Sequence, residues 1–302
     1  MGVIGLGMMG SQIALRLALK GHKVTVFNRD TSKIEKLLTQ HTNGTTNLKM
    51  AHKPKELGDT SDIAIICVKD YQAITNVSFM TGGLIETTNA DLVVIQCSTI
   101  SPDESSKIAD FYSKKQIKML SVPMLGGTAA VAEGEITLIG AGPKPAYKFA
   151  EPILKDLSIQ IFYIGSDHRI ASALKLAINI NIALIALALA EGLVFVRGAG
   201  IDSDTFVKIL NSTYFKTGIS ERKGPKIVND DYTASFYLMN MVKDLDLAIR
   251  TASSSGLTLP TTATAEALYR ASEAFGLSMK DYTSVASFIS KLNGFNTFQT
   301  NR

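Results

Sequence analysis

The chain has 302 residues, more than one typical domain holds, and its length predicts two domains. Its formal net charge of +4 is spread along the sequence without a basic block interleaved with aromatic residues, which argues against a nucleic-acid partner. The two cysteines, Cys67 and Cys97, form no Cys-x-x-Cys pair. This disfavours a disulfide framework or a structural zinc and, with no signal-peptide pattern at the N-terminus, predicts a cytoplasmic location.

The first half of the chain alternates short apolar runs with amphipathic stretches. This pattern predicts βαβ units around a parallel sheet. Apolar residues at three- and four-residue spacing predict a helix over residues 11–20. The predicted strands cover residues 3–4, 23–27, 63–68, 92–96, 119–122, 136–139 and 159–163.

Strand-like runs end at about residue 165, so we place one domain at residues 1–164 and an all-α domain at residues 165–302. The two are joined by a long helix. The predicted helices cover residues 170–198, 204–210, 236–255, 261–275 and 282–291.

The long predicted helix is almost wholly apolar over residues 176–196, enough on length alone to span a bilayer. It contains Asn179, Asn181 and Glu191, which would be costly to place in hydrocarbon. We therefore expect no membrane contact. A helix that is apolar all round is instead buried between domains or subunits, which predicts a homodimer or homotetramer.

A glycine motif lies between the first strand and the first helix and matches G-x-G-x-x-G: Gly5-Leu6-Gly7-Met8-Met9-Gly10. In this context Gly5 permits a tight turn, Gly7 lets the backbone approach a pyrophosphate, and Gly10 lets helix pack on strand. The N–H groups and the dipole of the helix favour phosphates at its start. A glycine motif between a strand and a helix predicts a Rossmann-type α/β domain over residues 1–164. The alternative is a glycine turn without a ligand.

The end of the second strand bears on the choice of cofactor. An NAD site usually has Asp or Glu here, whereas this chain reads Phe27-Asn28-Arg29-Asp30-Thr31. The guanidinium of Arg29 is suited to a forked contact with a 2′-phosphate, so we predict NADP over NAD. The alternatives are that Arg29 is a solvated surface arginine and that Asp30 caps the next helix.

A dehydrogenase needs a side chain that carries a proton, often a histidine paired with a carboxylate. None of the four histidines has an evident carboxylate partner: His22, His41, His52 and His168. Lys175 and Asn179 stand four residues apart in the long helix and share a face. An apolar environment would lower the pKa of Lys175 toward the working pH. On helix geometry alone, the better interpretation is a lysine that extends to solvent.

Several motifs, in order along nearly the whole chain, resemble the β-hydroxyacid dehydrogenases, which include 3-hydroxyisobutyrate dehydrogenase, tartronate semialdehyde reductase and 6-phosphogluconate dehydrogenase. Besides the glycine motif they are Gly21-His22-Lys23-Val24-Thr25-Val26-Phe27-Asn28-Arg29, Cys97-Ser98-Thr99-Ile100-Ser101-Pro102, Gly126-Gly127, Lys175-x-x-x-Asn179 and Met241-Val242-Lys243-Asp244-Leu245-Asp246-Leu247-Ala248.

The resemblance implies roles for individual residues. Lys175 becomes the general acid/base and Asn179 a substrate ligand. Gly126 and Gly127 offer backbone N–H groups to a substrate carboxylate, and Lys243 closes over substrate and nicotinamide from the second domain. The implied cofactor contacts are Gly5, Leu6, Gly7, Met8, Met9, Gly10, Asn28, Arg29, Thr31, Val68, Ser98, Thr99 and Lys243.

Two departures from the family pattern affect the site. Leu125 stands before Gly126-Gly127 where the family usually has a serine whose hydroxyl helps hold the carboxylate, so binding is expected to weaken or the substrate to differ. The sequence Cys67-Val68-Lys69-Asp70 replaces a common Leu-Pro, so the backbone beside the nicotinamide is expected to run differently.

The resemblance implies hydride transfer from the hydroxyl-bearing carbon of a small carboxylate-bearing substrate, of the 3-hydroxyisobutyrate or L-serine type, to NADP⁺. Lys175 would take the hydroxyl proton, and no metal is expected. One alternative is the reduction of glyoxylate or succinic semialdehyde. Another is a non-catalytic NADP-binding protein. Imine reduction is disfavoured, because that class usually has another residue in place of the lysine.

Overall fold

The computed structural model describes residues 1–40, 47–296 and 298. The chain divides into two compact units, Met1–Lys175 and Leu176–Arg302. The predicted boundary after residue 164 lies shortly before the helix that contains this division, and it stays a prediction.

The first unit is built on a six-stranded sheet in the order β3-β2-β1-β4-β5-β6, in which every neighbouring pair is parallel. Its strands are β1 (Gly2–Ile4), β2 (Val24–Phe27), β3 (Leu48–Met50), β4 (Ile63–Ile66), β5 (Val93–Gln96) and β6 (Lys118–Ser121). All residues of β4 and β5 are buried. Both faces of such a sheet are covered, so its central strands are apolar runs rather than alternating patterns.

Helices cover both faces of this sheet. They are α1 (Met8–Leu19), α2 (Ser32–Gln40), α3 (Pro54–Asp59), α4 (Tyr71–Phe79), α5 (Pro102–Ser113), α6 (Thr128–Glu133) and α7 (Lys144–Leu157). One buried cluster joins Ile13 and Leu17 of α1 to Val24 and Val26 of β2. A second cluster, on the other face, contains Ile74 and Ile108 from α4 and α5. This is the predicted Rossmann-type architecture, which is confirmed.

Two predicted strands, residues 136–139 and 159–163, do not join the parallel sheet, and that part of the prediction is wrong. They form a second sheet in the order β7 (Met124–Leu125), β8 (Ile136–Gly140) and β9 (Ser158–Tyr163), with β7 antiparallel to β8. The N–H of Val122 still donates to the Gln96 carbonyl of the first sheet. Pro123 has no N–H to continue that ladder, and the chain leaves the sheet there.

The second unit is helical, as predicted. Its helices are α8 (His168–Gly198, which begins in the first unit), α9 (Ser203–Ser212), α10 (Gly218–Val228), α11 (Leu238–Ser254), α12 (Pro260–Ser272) and α13 (Val285–Leu292). The sequence pattern missed α10, whose interior contains Gly224 and Pro225. The helix predicted over residues 261–275 ends earlier and continues as a π-helical turn, Glu273–Leu277, in which Gly276 has a φ of +95°.

One helix among the described residues, α8, is long and apolar enough to cross a membrane. Its most apolar window has a mean hydropathy of 2.0 and is 39% buried. The core helix of a soluble protein has the same composition, and the predicted lack of membrane contact stays a prediction.

Candidate active site

The glycine motif forms the turn between β1 and α1, and two of its glycines are required by the packing. Gly5 has a φ of +96°, and a Cβ on it would lie 2.3 Å from the Cys67 carbonyl oxygen. A Cβ on Gly10 would lie 1.8 Å from the Gly5 carbonyl oxygen. Any side chain at these two positions would therefore force the turn apart.

Gly7 differs from these two glycines because a Cβ on it would meet nothing within 4 Å. It is exposed and is the N-cap of α1, and as a glycine it makes no side-chain cap hydrogen bond. Those donors point out of the helix start at the carboxyl edge of the sheet, where open α/β sheets bind ligands. The open space beside Gly7 and the N–H groups at the helix start fit the pyrophosphate of a dinucleotide.

Asn28 links the glycine turn to the end of β2. Its Oδ1 accepts a hydrogen bond from the Leu6 N–H at 2.9 Å, and its Nδ2 donates to the Asp30 carbonyl at 2.8 Å. An amide performs both functions, whereas a carboxylate could only accept. The side chain predicted to contact cofactor therefore also holds the shape of the turn.

Arg29 and Thr31, the other predicted contacts here, are exposed beyond β2. Asp30 accepts hydrogen bonds from the Ser32 hydroxyl at 2.6 Å and the Ser32 N–H at 3.1 Å, at the start of α2. The hydroxyl bond is the main cause of the lowered pKa of Asp30. This carboxylate is engaged at the helix start, which agrees with the capping interpretation.

Ser98 and Val68, at the ends of β5 and β4, contact each other. The Val68 N–H donates to the Ser98 hydroxyl at 2.9 Å, and the Gln96 amide donates to the Ser98 carbonyl at 2.9 Å. Ser98 is buried, whereas Thr99 is half-buried. Ser98 thus orders the strand ends, and Thr99 is the more accessible of the two predicted contacts.

The departure from the family pattern at Lys69-Asp70 has a local structural explanation. Asp70 is the N-cap of α4, and its Oδ1 accepts a hydrogen bond from the Ala73 N–H at 2.8 Å. The aspartate therefore starts a helix immediately after the strand end that contains Val68.

The predicted substrate loop follows β7. Leu125 is half-buried and pairs with Thr137 of β8. Gly126 has a φ of +147°, and a Cβ on it would lie 2.7 Å from Ile136 Cγ2. Gly127 precedes α6 as its N-cap, without a side-chain cap. The packing thus requires a glycine at position 126, while Leu125 brings no polar group to the loop.

The two cysteines lie at the ends of β4 and β5, beneath the glycine turn. Burial raises the pKa of Cys67 to about 12 and that of Cys97 well above its ordinary value. Both thiols are therefore neutral at physiological pH and do not provide a nucleophile.

The expectation that no histidine has a carboxylate partner is wrong for His22. Its Nε2 lies 2.7 Å from Oδ2 of Asp156, which is 134 residues away in the sequence. His22 precedes β2, so this pair lies at the amino edge of the sheet, opposite the glycine turn. His168 Nδ1 lies 3.1 Å from the buried Ser121 hydroxyl, and burial lowers the pKa of His168. His41 is outside the described residues.

The second unit contains a buried polar network that the sequence did not predict. The Asn179 amide of α8 donates to Oδ2 of Asp244 in α11 at 2.6 Å. The other oxygen, Oδ1, lies 2.8 Å from the Lys243 ammonium. The Asp244 side chain is only 1% exposed. The buried carboxylate thus makes a hydrogen bond to Asn179 and an ion pair, without hydrogen-bond geometry, to Lys243, the two residues that were predicted to meet the substrate.

Lys175 is half-buried in α8, one helical turn before Asn179. The two lie on one face of the helix, although the division between the units falls after Lys175. Among the described residues, no group of three or more His, Cys, Asp or Glu side chains is arranged to hold a metal ion.

A parallel sheet of this order, with its glycine turn at the carboxyl edge, defines a dinucleotide-binding protein of the Rossmann class. Residues 1–165 match the NAD binding domain of 6-phosphogluconate dehydrogenase. Residues 170–289 match the family model described as NAD-binding of NADP-dependent 3-hydroxyisobutyrate dehydrogenase. The chain belongs to the β-hydroxyacid dehydrogenase family and is an NAD(P)-dependent oxidoreductase, which confirms the resemblance found in the sequence.

Individual relatives agree with this assignment. An uncharacterized oxidoreductase of Bacillus subtilis, YfjR, is 31% identical over 85% of this chain and 88% of its own length. Glyoxylate/succinic semialdehyde reductase 1 of Arabidopsis thaliana is 27% identical over 94% of this chain and 96% of its own. The crystal structure of 3-hydroxyisobutyrate dehydrogenase from Salmonella typhimurium is similar with a TM-score of 0.83, at 24% identity over 95% and 98% of the two chains. At this sequence identity, the similarity shows that the two proteins share a fold.

Proposed function

We propose that this enzyme uses NADP⁺ to oxidise the hydroxyl of a small β-hydroxy acid of the 3-hydroxyisobutyrate or L-serine type, with Lys175 as general acid/base. The observation that carries the proposal is the buried carboxylate of Asp244, which holds Asn179 at 2.6 Å and Lys243 at 2.8 Å. A buried charge is costly unless it is paired, so a fold retains such a network where polar groups must be held in position.

In this mechanism Lys175 is neutral before the step and accepts the proton of the substrate hydroxyl. When bound, the nicotinamide would supply the acceptor for the hydride from the carbon that carries this hydroxyl, so that the alcohol becomes a carbonyl. In reverse, protonated Lys175 donates to the carbonyl oxygen. Asn179 and Lys243 bind and orient the substrate, and the N–H groups of Gly126 and Gly127 bind its carboxylate.

The preference for NADP over NAD is supported by the end of β2. Position 28 has an amide that is engaged by Leu6 and Asp30, rather than a carboxylate that would accept from ribose hydroxyls. The next residue, Arg29, is exposed and positively charged, which suits a 2′-phosphate.

The reverse reaction, the reduction of a small aldehyde such as glyoxylate or succinic semialdehyde, is the second candidate. The relative in Arabidopsis thaliana that is named for this activity aligns with 94% of the chain. The same lysine serves both directions, so the preferred substrate distinguishes the two candidates.

The decisive experiment follows NADPH absorbance with a panel of small hydroxy acids and aldehydes, for the wild type and for Lys175→Ala. We expect the alanine variant to lose about 10²- to 10⁴-fold in kcat while its NADP⁺ affinity stays near normal. Lys175→Arg retains the charge but cannot give up its proton, so it is expected to be equally slow.

Lys208→Ala removes an exposed lysine of α9 and serves as the matched control. Near-native turnover by Lys175→Ala would refute the lysine mechanism. If the wild type transfers no hydride with any member of the panel, a non-catalytic NADP-binding role becomes the better interpretation.

We further propose that the enzyme is cytoplasmic, contacts neither membrane nor nucleic acid, and forms a homodimer or homotetramer. Support for assembly comes from large apolar side chains of the second unit that are exposed in the single chain: Phe195 at 77%, Phe215 at 81% and Ile209 at 57%. Sedimentation of the purified protein tests this, and a monomer at micromolar concentration would contradict it.

A further inference from the structure

A cleft of about 270 Å³ opens in the first unit beside the carboxyl end of β2. Its apolar lining includes Phe27 and Val77, which also pack against the buried cluster beneath the sheet. Three basic residues line it as well: Arg29, His52 and Lys53. None of the described residues that line this cleft is acidic. The cleft therefore suits a flat apolar group that carries a negative charge.

The position of Lys53 is fixed by the turn opposite it. The Lys55 N–H donates to the Gly82 carbonyl at 3.0 Å and so ties the start of α3 to the turn after α4. Gly82 has a φ of +78°, and a Cβ on it would lie 3.1 Å from Cδ of Lys53. The aliphatic part of Lys53 thus lies across a glycine that leaves room for it.

A hydrogen bond to the backbone of His52 holds this residue in place. Its N–H donates to Oε2 of Glu56 at 2.9 Å, in the first turn of α3. The Glu56 carboxylate is engaged there by the backbone, and the exposed imidazole of His52 lines the cleft. Both basic side chains are therefore presented from a loop that hydrogen bonds anchor on two sides.

We propose that His52 and Lys53, together with Arg29, bind the 2′-phosphorylated ribose of NADP, with the adenine against Phe27 and Val77. This inference rests on the proposed use of NADP. It extends the set of residues that recognise the 2′-phosphate from Arg29 alone to three. Three N–H donors around one phosphate form charge-assisted hydrogen bonds that NAD⁺, which lacks the 2′-phosphate, cannot make. His52 and Lys53 are then determinants of cofactor preference contributed by a different loop from Arg29.

The test is isothermal titration calorimetry at constant salt, with NADP⁺, NAD⁺, adenosine 2′,5′-bisphosphate and AMP. The two smaller ligands report on the adenosine end alone. We expect His52→Gln/Lys53→Gln to raise the Kd for NADP⁺ and for the bisphosphate about tenfold. The Kd for NAD⁺ and AMP should change by about twofold or less, which also shows that the variant is folded. Lys115→Gln, which removes an equal charge from an exposed position after α5, should behave as wild type.

Three results would overturn the inference, and they can be told apart. If the double variant binds NADP⁺ as tightly as wild type while Arg29→Ala loses the preference for NADP⁺ over NAD⁺, only the proposed role of His52 and Lys53 is wrong. If wild type binds NAD⁺ and NADP⁺ equally, the proposed use of NADP fails and this inference fails with it. If the double variant weakens all four ligands alike, the two residues shape the loop and do not recognise the phosphate.

Discussion

The two units of this enzyme build their functional features in different ways. In the first unit the glycine turn is made of backbone, and the residues that shape it lie close together in sequence or on neighbouring strands. In the second unit the buried network consists of side chains, and Asn179 and Asp244 are 65 residues apart. The first arrangement depends on local conformation, whereas the second exists only when two helices are packed together. In the first unit, substitutions should therefore distinguish effects on folding stability from effects on ligand binding more clearly than in the second.

The largest effect is expected from the glycine turn, where two substitutions distinguish packing from cofactor binding. Gly10→Ala places a Cβ 1.8 Å from the Gly5 carbonyl oxygen. Relieving that contact should cost about 3 kcal/mol or more and abolish dinucleotide binding. Thermal unfolding and calorimetric titration with NADP⁺ measure the two effects.

Gly7→Ala is the matched variant, because its added Cβ meets nothing within 4 Å. We expect its unfolding temperature to stay at the wild-type value while its affinity for the dinucleotide falls about tenfold or more, since the methyl group occupies the space of the pyrophosphate. Wild-type affinity in Gly7→Ala would show that the pyrophosphate does not approach this backbone.

A smaller effect is expected at Asp281, a buried aspartate of the second unit that has no proposed part in the chemistry. Its Oδ2 accepts hydrogen bonds from Lys223 Nζ and the Ser235 N–H, both at 2.8 Å. Asp281→Asn leaves the Lys223 ammonium, which is 15% exposed, without its counter-charge. We expect a loss of about 2–4 kcal/mol in the free energy of unfolding by urea, with kcat retained.

The loss at Asp281 should depend on pH. Burial tends to raise its pKa, but the hydrogen bonds from Lys223 and Ser235 outweigh burial and hold the pKa below its ordinary value. The stabilisation is then complete above the unfolded pKa of about 3.9 and is lost as the pH falls through the lower folded pKa. The difference between wild type and variant should therefore be constant from about pH 5 to 7 and shrink below about pH 4. A difference that grows in acid would contradict this assignment.

An effect directed at catalysis is expected at Asp244. Asp244→Asn removes the charge that holds Lys243 at 2.8 Å but leaves an oxygen able to accept from Asn179. We expect kcat/KM to fall about tenfold to a hundredfold, with the Kd for NADP⁺ less affected. Asp281→Asn is the control, because it breaks a buried Asp–Lys pair in the same unit. Equal loss of kcat/KM in both variants would indicate a general effect on the unit.

Much of the first unit could be predicted from the sequence because its signals are local. Gly5 and Gly10 have the steric roles that the spacing indicates, and the apolar runs of β4 and β5 identify buried strands. The departure at Asp70 also had a local signal, since Asp is a preferred N-cap. β3 was missed because it has only three residues, of which Lys49 and Met50 are exposed.

The remaining features depend on contacts that no local pattern contains. An apolar strand does not reveal which sheet it joins, so β8 and β9 were assigned to the parallel sheet. Pro123 was the one available signal for the break. The pairs His22–Asp156 and Asn179–Asp244 join distant segments. The sequence indicates that Asp244 lies on the apolar face of α11, since it stands three residues after Met241 and four before Ala248, but it does not indicate the partner.

The double engagement of Asn28 restricts how the cofactor preference of this fold can change. Aspartate at position 28 would supply the acceptor that an NAD site uses, but it could not donate to the Asp30 carbonyl, 2.8 Å from the present amide. Two oxygen atoms would then face each other across the end of β2 and loosen the support of the glycine turn. For an enzyme that uses NADP as proposed, a change to NAD would therefore require a compensating change near position 30, so the two positions are expected to evolve together.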